Sequence, residues 1–271
     1  MVTIFIFILG LSVGSFLNVL IDRLPEGQSI GGRSHCDYCK KTLSWQDLIP
    51  VVSWIALGGK CQYCRKKISA YYPVVEFLTG LVYVFAYLFV ILSEVEGSNY
   101  ITGLDVNQIP QSLRFFGMTV TTLGIISSLI VIFFADLKYH IIPDEATIGV
   151  ILFSLPLVLL SGLMVDHIIG GFILLFIIYS LFFITRGRGM GFGDVKFAFA
   201  MGLLLGVGPG FLAMYLAFVI GGIVSLFLIL FRRRGLKSKI AFGPFLVIGT
   251  VIMLFWQTEI MKYVGRWLGF Q

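Results

Sequence analysis

The chain has 271 residues, of which 58% are hydrophobic and 13% charged. A soluble domain carries about 25% charged residues, so this composition excludes a water-soluble globule and points to an integral membrane protein with several spans. The formal net charge of +6 is scattered over short segments between apolar runs, which is a topology signal and not a nucleic-acid footprint.

The first apolar run, residues 2–21, is long enough to cross a bilayer. No Ala-x-Ala-like site follows it, so it reads as a span and not as a cleaved signal.

Residues 23–73 form the one polar domain. It contains all four cysteines, as CDYC at 36–39 and CQYC at 61–64, with 21 residues between the two pairs. Two thiolate pairs on tight turns suit tetrahedral zinc, so Cys36, Cys39, Cys61 and Cys64 are the expected ligands. The gap slightly exceeds the usual ribbon spacing, which a closed loop tolerates. The alternative is four free or redox-active thiols. A four-Cys site is closed, so such a metal folds the domain and does not catalyse.

Further apolar runs lie at 74–93, 115–135, 146–165, 168–185, 197–231 and 241–258. The run 197–231 carries no charge. At 1.5 Å per residue it would be roughly 50 Å long, beyond a bilayer core of about 30 Å. GVGPG at 206–210 breaks it into a short span and a full one. The expected fold is therefore an all-α polytopic membrane protein of about eight spans, with a small zinc-binding domain between the first and second. Segment 94–114 reads as an external loop. No internal repeat is evident.

Eight spans put 22–73, 136–145, 186–196 and 232–240 on one side, with 17 of the 20 Lys and Arg residues. The positive-inside rule makes that side cytoplasmic and puts both termini outside. A single span over 197–231 would send RRRGLKSK outside, against the rule.

Two acids border these apolar runs: Asp136 in ADLKYHIIPD and Asp194 in GMGFGDVK. A carboxylate near hydrocarbon costs roughly 2.5–3.5 kcal/mol on insertion scales, so its default reading is functional. Two carboxyls about 3 Å apart cannot both ionise. The ionised one can deprotonate a water while the protonated one polarises a scissile carbonyl. Gly189, Gly191 and Gly193 would let the backbone approach an extended substrate. Taken singly, Asp136 reads as an aspartate ending a span and Asp194 as an N-cap. Asp144, after Pro143 and ahead of a span, reads as an N-cap. His140 reads as an interfacial histidine, with a proton partner to Asp136 as the alternative.

The chain resembles the prepilin peptidases, or type 4 leader peptidases, membrane aspartic proteases of the GxGD kind. The likeness runs through GSFLNVLIDRLP at 14–25, RSHCDYC at 33–39, the second CxxC, YYPVVEFLTG at 71–80, DLKYHIIPD at 136–144, GFGDVK at 191–196 and AFGPFL at 241–246. One departure is LKYH, where the family often has Thr or Ser. The resemblance implies that Asp136 and Asp194 are the catalytic pair of an endopeptidase. Its substrates would be type IV prepilins or the pseudopilins of type II secretion, cut after a Gly and before an aromatic residue. It implies residues 1–22 as the first span, 23–73 as a methyltransferase-associated zinc domain and 74–271 as the peptidase domain, in a bacterial inner membrane with the active site facing the cytoplasm.

The resemblance also implies N-methylation of the new terminus with S-adenosylmethionine as donor. Asn18, Arg33 and Glu76 are the polar candidates in the matching N-terminal blocks. The plain readings are an interhelical hydrogen bond for Asn18 and a first-turn acid for Glu76. No Gly-rich nucleotide fingerprint marks a pocket. Two other functions are a proton- or cation-coupled transporter using the paired acids, and a zinc-stabilised scaffold without catalysis. A transporter would place its acids nearer mid-membrane and show inverted repeats.

Overall fold

The structure, a computed structural model, describes residues 1–95, 111–187, 189–231 and 241–267. The described residues are helical, with two isolated β-bridges and no strand. They divide into two compact units, Met1–Glu94 and Val95–Gln271.

In the first unit, α1 (Val2–Arg23) and α3 (Tyr71–Val95) flank the polar segment, which contains a 3-10 turn at Gln46–Leu48 and the short α2 (Val52–Ala56). α1 and α3 run antiparallel along a seam of small residues. A Cβ on Gly10 would lie 2.7 Å from the Cα of Gly80, and one on Gly14 would lie 2.8 Å from the Cα of Glu76. Apolar helices gain little from burial against each other in lipid, so close backbone packing at such residues holds them. Phe7 and Phe77 meet edge to face beside the seam at 5.8 Å.

The second unit contains α4 (Gln111–Tyr139), α5 (Asp144–Leu160), α6 (Met164–Ile184), α7 (Phe192–Leu205), α8 (Val207–Leu230) and α9 (Gly243–Trp267), the last kinked at Trp256. α7 is its centre, in contact with α5, α6, α8 and α9. Ten of its 14 residues are buried, which explains why its sequence is apolar all round.

Among the described residues, six helices are long and apolar enough to cross a membrane: α1, α3, α4, α6, α8 and α9. The other two apolar stretches are shorter. α5 has 17 residues and α7 has 14, about 25 and 21 Å at 1.5 Å per residue.

The run 197–231 does divide at Gly206. This residue takes φ +81°, where a side chain is strained, and donates its N–H to Gly202 to end α7. Pro209 falls in the first turn of α8, where a missing N–H costs nothing. The Asp166 carboxylate accepts the N–H of Val207 at 3.2 Å, and His167 bonds the carbonyl of Leu203 at 2.9 Å, so the start of α6 braces this junction. Most of the expected 94–114 loop and the basic 232–240 segment lie outside the described residues.

Candidate active site

α4 continues to Tyr139, so Asp136 sits within its last turn and does not follow its end. His140 then turns the chain with φ +56°, donating its N–H to the carbonyl of Asp136 at 3.0 Å. Its side chain is exposed. Asp136 is buried, and its Oδ2 accepts the N–H of Gly243, the first residue of α9, at 2.9 Å.

Asp194 lies in the first turn of α7. Its Oδ2 accepts the N–H of Gly191 at 2.9 Å, while Gly191 supplies the cap position. The carboxylate thus satisfies one of the orphan donors at a helix start, the logic of a capping box. Asp194 is buried as well. Burial pushes its carboxyl up to about 7, and the charge of Asp136 pushes in the same direction, so the two groups are electrostatic neighbours. Each carboxyl therefore has its Oδ2 held by a glycine N–H, and one burdens the ionisation of the other.

Ile142 packs between the two acid-bearing segments. A Cβ on Gly193 would lie 3.0 Å from the Cβ of Ile142. One on Gly243 would lie 2.7 Å from Oδ2 of Asp136 and 3.1 Å from Cδ1 of Ile142. Gly243, Ile142 and Lys196 were given no role by the sequence reading. A Gly-Pro pair opening an apolar run, in AFGPFL, was the signal for Gly243.

The expected N-cap role of Asp144 is not what the structure contains. Pro143 occupies the cap with extended ψ 135°, Asp144 is the first helical residue, and it makes no side-chain cap bond. Its carboxylate turns instead to Lys196, whose Nζ reaches its two oxygens at 2.8 and 2.7 Å. A full cation two residues beyond Asp194 outcompetes a neutral backbone donor.

The four cysteines converge. Their Sγ atoms all lie within 4.8 Å of one another, with Cys36 and Cys64 at 3.9 Å. A tetrahedral zinc with bonds near 2.3 Å needs sulfurs about 3.8 Å apart, so the donor set and spacing fit zinc. The knuckles are near copies of each other. Cys36 donates its N–H to Lys41 and accepts from Lys40, and Cys61 does the same with Lys66 and Arg65. Lys40 and Arg65 share positive φ, at 55° and 61°. Lys41 lies over the Tyr63 ring and Lys66 over the Tyr38 ring, at 4.3 and 4.6 Å, so each knuckle clasps the other.

Asn18 and Glu76 come together on the α1–α3 seam. Asn18 Nδ2 donates to the carbonyl of Tyr72 at 3.1 Å, the interhelical bond that its position implied. Among the described residues, its buried Oδ1 has no hydrogen-bond partner. Glu76 is buried and accepts the N–H of Val51 at 2.7 Å. The first-turn placement expected of it does not hold: α3 starts five residues earlier, at Tyr71, and has no acid in its first turn. An amide oxygen and a carboxylate on one seam suit a cation that donates hydrogen bonds, such as an ammonium. Arg33 is exposed on the preceding loop, its carbonyl accepting from Arg23 at 3.4 Å, and no described contact joins it to that seam.

Residues 8–90 match the Bacterial Peptidase A24 N-terminal domain, and residues 123–226 match the Type IV leader peptidase family. The prepilin leader peptidase/N-methyltransferase of Aeromonas salmonicida (strain A449) is 30% identical over 290 residues, covering 95% of this chain and 92% of that protein. The protein of the same name from Aeromonas hydrophila is 29% identical over 289 residues, with the same coverage of 95% and 92%. That from Myxococcus xanthus (strain DK1622) is 38% identical over 164 residues, 59% of this chain and 41% of that protein. No solved structure matches the chain.

Proposed function

Because the chain belongs to the type IV leader peptidase family, we propose that it is an aspartic endopeptidase of a bacterial inner membrane. It removes the leader of type IV prepilins or pseudopilins at the cytoplasmic face and N-methylates the residue that cleavage exposes. One observation carries the peptidase reading. Asp136 and Asp194 are buried neighbours in one unit, each held by a glycine N–H, and one raises the cost of ionising the other.

Such a pair holds one proton between its two carboxyls near neutral pH. The ionised carboxylate takes a proton from a water, and the water oxygen bonds to the scissile carbonyl carbon. The protonated carboxyl gives its proton to the carbonyl oxygen. When the tetrahedral species collapses, the C–N bond breaks and the amine leaves with the proton taken from water. The glycine N–H bonds keep the carboxyls fixed while their charges exchange. The leader junction lies extended beside Gly189, Gly191 and Gly193, with the substrate's apolar helix in the bilayer.

The basic residues between the apolar runs support a cytoplasmic placement for both acids. We take α5 and α7 as the two further membrane segments of an eight-segment topology, with α7 entering partway. Zinc, held by Cys36, Cys39, Cys61 and Cys64, would brace the polar domain. S-adenosylmethionine would supply an electrophilic methyl group. Asn18 and Glu76 would hold the cationic partner of that transfer, while Arg33, on the loop before the first knuckle, has no described contact with them.

Incubating the purified protein with a prepilin and S-adenosylmethionine tests the reading by mass spectrometry. Leader loss with one added methyl mass on the new terminus is expected. An intact prepilin would refute it.

A further inference from the structure

Single exposed apolar residues are ordinary on any protein surface, but a cluster on a short segment marks an interaction site. Residues 45–55 form such a cluster. Trp45, Leu48, Ile49, Val52 and Ile55 are all exposed, with Trp45 at 74% and Ile55 at 66%. The pattern is directional. On α2, Trp54 turns inward, donating its Nε1–H to the carbonyl of Ile68 at 3.2 Å, with its ring against Gly59. Val52 and Ile55 are left on the outward side.

The segment is fixed at membrane level. It hangs between α1 and α3, both long and apolar enough to cross a bilayer. Its middle is tied directly to one of them, because the Val51 N–H donates to Glu76, five residues into α3, at 2.7 Å. Five residues are about 7.5 Å of helix, so this bond keeps Val51 close to the depth at which α3 enters the bilayer. Val51 takes φ +60°, strained for a β-branched residue. At the other end, Arg23 closes α1 by donating to the carbonyls of Ser29, Ile30 and Gly31, folding the next loop back over the helix end.

Charge identifies the occupant. Lys40, Lys41, Lys60, Arg65, Lys66 and Lys67 are exposed on the two knuckles, and the second knuckle is joined to α2 through Trp54. Apolar and aromatic side chains flanked by cations at a bilayer surface fit the boundary between anionic headgroups and acyl chains.

We infer that residues 45–55 are an interfacial anchor, with Trp45, Ile49, Val52 and Ile55 seated at the headgroup–acyl boundary of an anionic bilayer and the knuckle cations on its phosphates. Glu76 then has a mechanical role, setting the depth of the anchor through Val51. The inference stands independently of the methyl-transfer reading.

The test uses the full chain in vesicles of phosphatidylcholine alone or mixed equally with phosphatidylglycerol, with acyl chains brominated near the headgroup. Tryptophan quenching is compared between the parent and Trp45→Phe, and the difference isolates Trp45. Strong Trp45 quenching is expected in the mixed vesicles and weaker quenching in phosphatidylcholine alone. Neutralising Lys60 and Lys67 to Gln should lower the seated-to-unseated ratio by roughly fivefold per cation. Trp45 that is open to aqueous iodide and unquenched by bromine overturns the inference. So does equal quenching in both vesicle types, and so does Trp45 shielded from both quenchers, which would mean a protein surface covers it. These parent-protein outcomes decide the matter even where the Gln variant fails to fold.

Discussion

The carboxylate of Asp136 accepts the backbone N–H of Gly243 across 107 positions of sequence, at 2.9 Å. The bond joins the last turn of α4 to the first residue of α9, and it orients one of the two buried acids of the second unit. Together with Asp194 and Gly191 it makes a pair of carboxyls gripped by backbone donors. Because both carboxyls are needed, one charged and one neutral, Asp136→Asn and Asp194→Asn should each reduce prepilin cleavage by at least about a thousandfold, the scale of losing an essential acid–base group. Leader loss would be followed by mass spectrometry on variants that still insert. Substantial turnover by either variant would sink the pair assignment.

The space at Gly243 makes a sharper demand. A Cβ there would lie 2.7 Å from Oδ2 of Asp136, and one on Gly193 would lie 3.0 Å from Ile142. Gly243→Ala should displace the carboxylate and lower kcat about a hundredfold, the scale for a misplacement of about 1 Å, with Gly193→Ala milder. Gly117→Ala and Gly222→Ala are controls, since a Cβ at either meets nothing within 4 Å. Equal activity in all four variants would count against positioning by Gly243.

Asp194 sets a pH dependence. Its carboxyl rises from 3.8 to about 7 on folding, so the folded protein binds the extra proton between those values. Stability then falls as pH rises through that window and is flat above it. Melting temperatures of detergent-solubilised protein should decline from pH 4 to pH 7, and Asp194→Asn should flatten that slope. Cleavage should fall above about pH 7 as the shared proton is lost. A melting curve with the same slope in Asp194→Asn would contradict this.

The cysteine cluster predicts a structural metal. One zinc per chain should copurify, and replacing any one of Cys36, Cys39, Cys61 and Cys64 by Ser should lower it sharply. Chelation should expose backbone of residues 34–68 to hydrogen exchange while α4–α9 keep their protection. Disulfides between these cysteines in the cell, or protein without zinc, would refute it.

Glu76 offers a separation of the two activities. Glu76→Gln keeps an acceptor for the Val51 N–H, so the fold and leader removal should persist. It removes the carboxylate from the seam that also carries Asn18, so methylation should fall about tenfold or more, the scale of one charge-assisted bond. Glu76→Ala loses both and should also loosen residues 45–55. A Gln variant that methylates normally would leave Glu76 as an anchor for Val51 only.

Much of this protein was legible in its sequence because the deciding physics is local. Burying charge in hydrocarbon is costly wherever it occurs, so uncharged runs mark α1, α3, α4, α6, α8 and α9. Gly206 and Pro209 break 197–231 through their own backbone preferences, and each CxxC turn brings its own two thiolates close by spacing alone. Partners supplied by distant chain are not legible in this way. Local preference made Asp144 a cap, but folding brings Lys196 to it from 52 positions away. Gly243 looked like an ordinary apolar-run residue and Ile142 like a linker residue until α9 and α4 closed around Asp136. Val51 has a tie to α3 only because Glu76 faces it across the polar domain. In each case a hydrogen bond or steric limit depends on where a second segment packs, and tertiary structure alone decides that.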